Sequence, residues 1–243
     1  MELPTKRTSG KINVQDIRMV ICGPPKIGKT NLCSGWPNAL FGATEKGYKA
    51  LQVFKVDIKS WKGFKKFNDK VVEGKHEFRT IVIDTVDMLW KYCVEQVCND
   101  LNIDHVSDED WGKGYDMVST EFENELNRLF MTDYGIILVS HTKTSDMYSS
   151  KGRSSKTTSS LSNQARRVLI PKVDVIGIMS VKTVKNSDGS YKDKRVISFR
   201  HTENEEGGDR TGRLPEQLTV YKDAQKTYEL FESFFKKSKK EDD

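Results

Sequence analysis

Between an apolar run at residues 17–22 and a stretch of helical composition stands Gly23-Pro24-Pro25-Lys26-Ile27-Gly28-Lys29-Thr30, which constrains the chain more than any other segment. It matches G-x-x-x-x-G-K-[ST] in the strand-then-helix context that gives the pattern its meaning. Its glycines let the backbone wrap an anion, so that consecutive amides and the start of the following helix face the charge. Lys29 supplies positive charge to the β- and γ-phosphates, and Thr30 offers a hydroxyl to magnesium. The implied ligands are ATP and Mg2+, with Gly23, Pro24, Pro25, Lys26, Ile27, Gly28, Lys29, Thr30 and Asn31 as the nucleotide-binding set.

The rest of the chain reads as alternating strands and helices. Strands are expected at 17–22, 39–43, 79–84 and 135–140, with an extended segment at 53–58. Helices are expected at 61–72, where Trp61, Phe64, Phe67 and Val71 recur at three- and four-residue spacing, and at 86–101, 115–130 and 228–235. Arg79-Thr80-Ile81-Val82-Ile83-Asp84 is apolar throughout its middle, as a strand buried on both faces must be. Such alternation argues for βαβ units and a sheet covered by helices on both sides. Two further strands, 173–181 and 194–200, flank a turn at Asn186-Ser187-Asp188-Gly189 and should form a hairpin. Residues 1–16 read as a flexible arm, 17–235 as one nucleotide-binding domain and 236–243 as a charged tail. At 243 residues, one elaborated domain fits and two would be cramped.

Three polar residues stand at the carboxyl ends of these strands, the edge where open α/β sheets bind ligands. Asp84 ends its strand where a second magnesium-holding acid is needed, although an aspartate there can also cap the following helix. Many ATPases carry a glutamate directly after that aspartate, but Thr85 occupies the position here, so the base that activates water must come from elsewhere. Glu45, after strand 39–43, is the first candidate and Asp87 the weaker one; a solvated turn is the other reading of Glu45. His141 ends strand 135–140 and is placed either to sense the γ-phosphate or to serve as a structural hydrogen-bonding residue.

Residues 145–167 change in character, with eight serines, five Lys or Arg and one acid, Asp146. This composition predicts a mobile loop, and its Lys151, Arg153, Lys156, Arg166 and Arg167 suit contact with a phosphate backbone without reading bases. Tyr148 is its only aromatic residue, so base stacking would contribute little; a plain solvated linker is the competing reading. The net charge of +5 favours a polyanionic partner without establishing one. Cys22, Cys33, Cys93 and Cys98 form no C-x-x-C pair and read as buried thiols. With no apolar run long enough to span a bilayer and no apolar signal core at the start, the expectation is a cytoplasmic protein without membrane contact.

The order of these pieces, together with Trp111-Gly112-Lys113-Gly114-Tyr115, Val139-Ser140-His141-Thr142-Lys143 and Glu206-Gly207-Gly208-Asp209-Arg210, resembles the phage-encoded RecA-like ATPases of single-strand annealing and recombination. The resemblance covers residues 15–215 and is loose outside the phosphate loop. It implies a RecA-like P-loop α/β core, with a mostly parallel central sheet flanked by helices and antiparallel strands toward the C-terminus. It implies a catalytic glutamate after the second core strand, which falls on Glu45, and a polar sensor after the fourth, which falls on His141, so that Glu45, Lys29 and His141 form the catalytic set. It places a DNA-binding loop at 145–167. Single-stranded DNA is the implied partner, with a ring or filament of copies, a single-stranded-DNA-binding protein as a further partner, and the cytoplasm of a phage-infected bacterium as the location. In such assemblies a cation reaches a neighbour's γ-phosphate; Lys192, Lys194 and Arg210 are the carriers considered. The separate N-terminal helical domain and polymerisation segment of full-length recombinases have no counterpart here, so the resemblance stops short of filament formation and strand exchange.

Three other readings share the phosphate loop. A small-molecule or nucleotide kinase would add an arginine-bearing lid, which the serine-rich loop serves poorly. A helicase loader or AAA+ switch would carry an acidic pair where Asp84 is followed by Thr85. A DNA-binding module could use its nucleotide site only to regulate assembly.

Overall fold

The computed structural model of the protein describes Thr5 and residues 12–109, 112–149, 152–185 and 189–236. Five parallel strands form its centre: β1 (Arg18–Gly23), β2 (Ala39–Ala43), β4 (Thr80–Asp84), the first part of β5 (Gly135–Ser149) and β7 (Val175–Lys185). Outside β2 runs β3 (Phe54–Asp57), also parallel. On the far side β8 (Tyr191–Ser198) and β10 (Gln217–Thr219) add antiparallel strands, giving the order β10-β8-β7-β1-β5-β4-β2-β3. A two-residue strand, β9 (Gly208–Asp209), pairs with β7 off this path. This is the expected class of architecture: an α/β core with a mostly parallel central sheet flanked by helices and antiparallel strands toward the C-terminus.

Alternation along each central strand sends side chains into two separate cores. Val20, Cys22, Ile81, Ile83, Ile136 and Leu138 face one, under α2 (Trp61–Glu73), α3 (Val86–Leu101), α4 (Lys113–Phe130) and α5 (Asn163–Leu169). Met19, Ile21, Phe41, Val82, Ile137 and Val139 face the other, under α1 (Lys29–Cys33) and α6 (Ala224–Lys236). Trp61, Phe64 and Phe122 are fully buried between α2 and α4, with Trp61 stacked on Phe122 at 6.0 Å. Each such aromatic residue stabilises the fold by roughly 1.5–3 kcal/mol through burial alone. The α2 stripe read from sequence is the face that is buried, and Ser60 caps the helix by accepting from the Gly63 N–H at 3.1 Å. All four cysteines are buried free thiols; burial pushes Cys22 up to about 12.

Two expectations need correction. The described residues of 145–167 do not form a loop: β5 continues past His141 to Ser149, and β6 (Gly152–Ser159) pairs with it antiparallel from Thr142↔Ser159 to Ser149↔Gly152, and α5 follows. Its polar composition hid this, because the backbone ladder is satisfied by strand pairing without an apolar alternation, and the residues it buries, Thr158 and Ser159, are themselves polar. The arm read over 1–16 is also too long, since Val14–Asp16 forms one turn of 3-10 helix with Val14 buried and Asn13 as its cap. In the expected turn at 186–189, Asn186, Ser187 and Asp188 lie outside the described residues, as does the tail from 237 to 243. Among the described residues no helix is long and apolar enough to cross a membrane.

Candidate active site

The phosphate loop begins where β1 runs out. A Cβ on Gly23 would stand 3.0 Å from the Met179 Cβ, so a side chain there would press on the neighbouring strand. Gly28 has φ +104°, a left-handed conformation that glycine adopts at little cost, and Lys26 turns the loop with φ +64°. Lys29 is buried, and its Nζ donates to the carbonyls of Gly23 at 2.7 Å and Pro24 at 3.0 Å, closing the loop on itself. Burial lowers its pKa, against the pull of Asp84. Pro24, Pro25 and Lys26 are exposed and Ile27 half-buried. The Asn31 amide is committed to the Lys222 carbonyl at 3.1 Å, so this side chain braces the segment before α6.

The Asp84 carboxylate accepts the Thr30 hydroxyl at 2.7 Å and the Tyr48 hydroxyl at 2.8 Å. Burial raises its pKa, and these two hydrogen bonds oppose the rise. The helix-cap reading of Asp84 fails here, because Thr85 is the N-cap residue of α3 and no side chain caps that end. Thr30 and Asp84 together present hard oxygen donors beside the phosphate cradle, which fits Mg2+, an ion commonly held by one or two carboxylates plus substrate phosphates. Among the described residues no cluster of three or more His, Cys, Asp or Glu forms an all-protein metal cage.

The three residues of the expected catalytic set come together. His141 Nδ1 lies 3.3 Å from Lys29 Nζ, and its Nε2 lies 3.5 Å from Glu45 Oε1. Glu45 Oε1 also accepts the Thr85 hydroxyl at 2.8 Å, so the threonine that follows Asp84 fixes the carboxylate at the end of the neighbouring strand. Thr44 ties the two strand ends together, accepting from Thr85 N–H at 2.7 Å and donating to the Thr85 carbonyl at 2.9 Å. Lys29, His141, Glu45, Thr85, Asp84 and Thr30 thus form one contiguous polar edge. A cleft of about 660 Å³ opens beside it, lined by Glu45, Asp87, Met88, Trp90, His141 and Leu161 among others.

Three contributions were not legible. Tyr48 holds Asp84 from a turn with no motif of its own, and Asp84 in turn helps burial to raise the tyrosine pKa. Asp87 is taken up at the root of the β5–β6 hairpin: it accepts the His141 N–H at 3.2 Å and the Ser160 hydroxyl, while the Ser160 N–H donates to the His141 carbonyl at 2.9 Å. With the Ser140–Ser159 hydroxyl pair at 2.8 Å, these contacts fasten the root of the β5–β6 hairpin to the polar edge that carries His141 and Glu45. Arg195, on β8, lies against the phosphate loop and donates to the Ile27 carbonyl at 3.3 Å. Proximity to a loop 168 positions earlier needed the fold.

The expected DNA-binding cations are dispersed. Lys156 is half-buried on β6 and Arg167 exposed on α5. The guanidinium of Arg166 is taken up by Glu206, from a segment whose Glu205 bridges to Thr157 on β6. Arg153 pairs with Tyr148 in the hairpin, its side chain outside the described part, and Lys151 lies outside the described residues altogether. Of the finger candidates, Lys192 and Lys194 are exposed on β8, whereas Arg210 donates to the Pro171 carbonyl at 2.8 Å beside Asp174, at the opposite edge of the sheet from its own phosphate loop.

A family model described as an AAA domain matches residues 15–211 of the chain. The chain is 28% identical over 188 residues to SPbeta prophage-derived uncharacterized protein YorG of Bacillus subtilis (strain 168), covering 74% of this chain and 53% of that protein. It therefore spans about half the length of that curated relative. It is also similar to the structure of flagellar accessory protein FlaH from Methanocaldococcus jannaschii, with a TM-score of 0.45, 11% identity and 84% of each chain covered.

Proposed function

The chain belongs to the AAA-domain family, and from that premise we propose that it hydrolyses ATP with magnesium, binds single-stranded DNA and assists annealing or recombination in phage DNA metabolism. The observation that carries the hydrolytic part is the chain of contacts from Lys29 through His141 to Glu45, at 3.3 and 3.5 Å. Lys29 and the loop amides hold the phosphates, and the Glu45 carboxylate, oriented by Thr85, accepts the proton of an attacking water. His141 spans the phosphate lysine and the base, the position from which a side chain responds to a terminal phosphate. Bound magnesium would neutralise charge on the β- and γ-phosphates.

The DNA-binding part is supported by the β5–β6 pair, whose described residues carry Lys143 and Lys156 beyond His141, and by the basic sequence of the segment that joins the two strands. The hairpin root is joined to His141 through Ser160 and Asp87, so DNA on the hairpin and nucleotide on the loop would act on shared contacts. ATP turnover with and without single-stranded DNA tests both parts. Turnover in the parent should depend on Mg2+ and rise with DNA, and Lys151→Glu, Arg153→Glu, Lys156→Glu should lose the DNA response while keeping basal turnover. Each phosphate contact removed should lower the slope of log affinity against log salt by about 0.7.

One observation favours a second reading, phosphoryl transfer to a small acceptor: the cleft of about 660 Å³ beside Glu45 and His141 is roomy enough for one. If DNA neither binds nor alters turnover while a small hydroxyl or phosphate acceptor does, this second reading replaces the first.

A further inference from the structure

The mechanism above leaves one cation at the phosphate loop without a task. Arg195 directs its guanidinium at Gly28, where a Cβ would stand 2.5 Å from Nη1, so the missing side chain at Gly28 is what admits it. A guanidinium has five N–H donors. Its Nη1 makes a 3.3 Å bond to the Ile27 carbonyl, and no ion pair joins it to a carboxylate among the described residues. Other arginines of the chain differ: Arg166 is bound by Glu206, Arg128 by Asp69 and Glu125, and Arg210 by Pro171 and Asp174. Strand alternation puts Arg195 on the face of β8 opposite Lys192 and Lys194, and the side chain two residues on, Ile197, enters the core that α1 covers. A half-buried, weakly engaged guanidinium against a loop built to receive phosphates is matched by a ligand bearing several anionic oxygens.

We infer that Arg195 binds the phosphate chain of a nucleoside triphosphate held by the loop of its own subunit, a cis contact distinct from any cation supplied by a neighbour. The inference rests on the nucleotide-binding reading above. It assigns β8 a direct part in the site, and it makes Gly28 a requirement of space as well as of backbone conformation.

The test is binding of ATP, and of inorganic pyrophosphate as a probe without base or sugar, measured by calorimetry. Parent, Arg195→Ala, Arg195→Met, Arg195→Lys and Lys29→Ala are compared, alongside thermal unfolding of each nucleotide-free protein. Loss of a charged hydrogen bond predicts that Arg195→Ala and Arg195→Met weaken both ligands about tenfold or more, with Arg195→Lys between them and the parent. Nucleotide-free melting temperatures should stay within about 2 °C of the parent. Parental affinity in Arg195→Ala overturns the inference. So does recovery of affinity by Arg195→Met, which keeps the apolar stem and removes every donor, because that marks a packing brace. Mixing Arg195→Ala with Lys29→Ala separates cis from trans: restored binding would overturn the cis assignment. Failure of the parent itself to bind ATP would refute the nucleotide reading, whereas parental binding lost only in Lys29→Ala would refute Arg195 alone.

Discussion

Two antiparallel hairpins leave the carboxyl edge of the sheet on either side of β1, and they hold to the nucleotide site in different ways. The β5–β6 hairpin is rooted by several hydrogen bonds: Asp87 to the His141 N–H and the Ser160 hydroxyl, Ser160 N–H to the His141 carbonyl, Ser140 to Ser159, and Lys143 to the Leu161 carbonyl at 3.3 Å. The β7–β8 hairpin meets the loop through Arg195 on the Ile27 carbonyl and through Met179 packed against Gly23. The first is fixed to the end of the site where His141 and Glu45 stand, the second to the loop that grips the phosphates. Similar surface chemistry on two hairpins therefore does not imply similar coupling; the bonds at each root decide which event at the site each can register.

The largest perturbation should silence both. Lys29→Ala removes the charge between the Gly23 carbonyl and His141, and nucleotide binding should weaken by about a hundredfold or more with hydrolysis lost, as calorimetry and phosphate release would show. Glu45→Gln should divide the two hairpins' sides of the site. It keeps an oxygen for the Thr85 hydroxyl but cannot take a proton, so turnover should fall about 10²–10⁴-fold while ATP affinity stays within about threefold. Retained turnover would remove Glu45 from the chemistry and leave the β5–β6 side without its proposed function. Asp87→Ala acts on the root alone. It leaves the His141 N–H and Ser160 hydroxyl without their acceptor and should cost about 1–3 kcal/mol in urea unfolding. Amide exchange should then quicken at 142–149 and 152–159 and stay unchanged at 175–185; equal quickening in both hairpins would erase the contrast between them.

How much of this was readable follows from the same distinction. Strands buried on both faces announce themselves as apolar runs, so β1, β4 and the first half of β5 were plain, and with them the edge carrying Asp84 and His141. Glu45 was a candidate because it follows strand 39–43 at the carboxyl edge, and the pairing of Ala43 with Asp84 sets the end of β2 beside β4. The outer half of β5 and β6 gave no such signal. A serine- and threonine-rich ladder satisfies its backbone by pairing without hydrophobic alternation, and such a composition reads as loop. Asp87 drew notice as an acid near a phosphate loop, yet only the packed structure turns its carboxylate toward Ser160. Tyr48 and Arg195 depend on contacts across the fold for which local spacing leaves no trace.

Asp84 belongs to neither hairpin, and the smallest of these effects tests whether the centre of the edge can change without disturbing them. Its folded-state pKa is raised by burial, so the native protein holds the proton to higher pH than the unfolded chain does. The associated stability is fully present below the unfolded-state value and is lost as pH rises through the folded-state value, so the ionised carboxylate at neutral pH weakens the ligand-free fold. Asp84→Asn keeps a carbonyl oxygen to accept the Thr30 and Tyr48 hydroxyls and removes the charge. The ligand-free variant should therefore be more stable than the parent near neutrality by about 1 kcal/mol, a gain of roughly 2–4 °C in melting temperature. That gain should shrink as pH falls toward the ordinary carboxylate range. With Mg2+ and ATP present the sign should reverse, because the parent then gains a metal contact that the amide supports poorly. A variant less stable than the parent at neutral pH would mean that the charge on Asp84 is already offset by Lys29 and the two hydroxyls, and the centre of the edge would then be as firmly tied as the β5–β6 root.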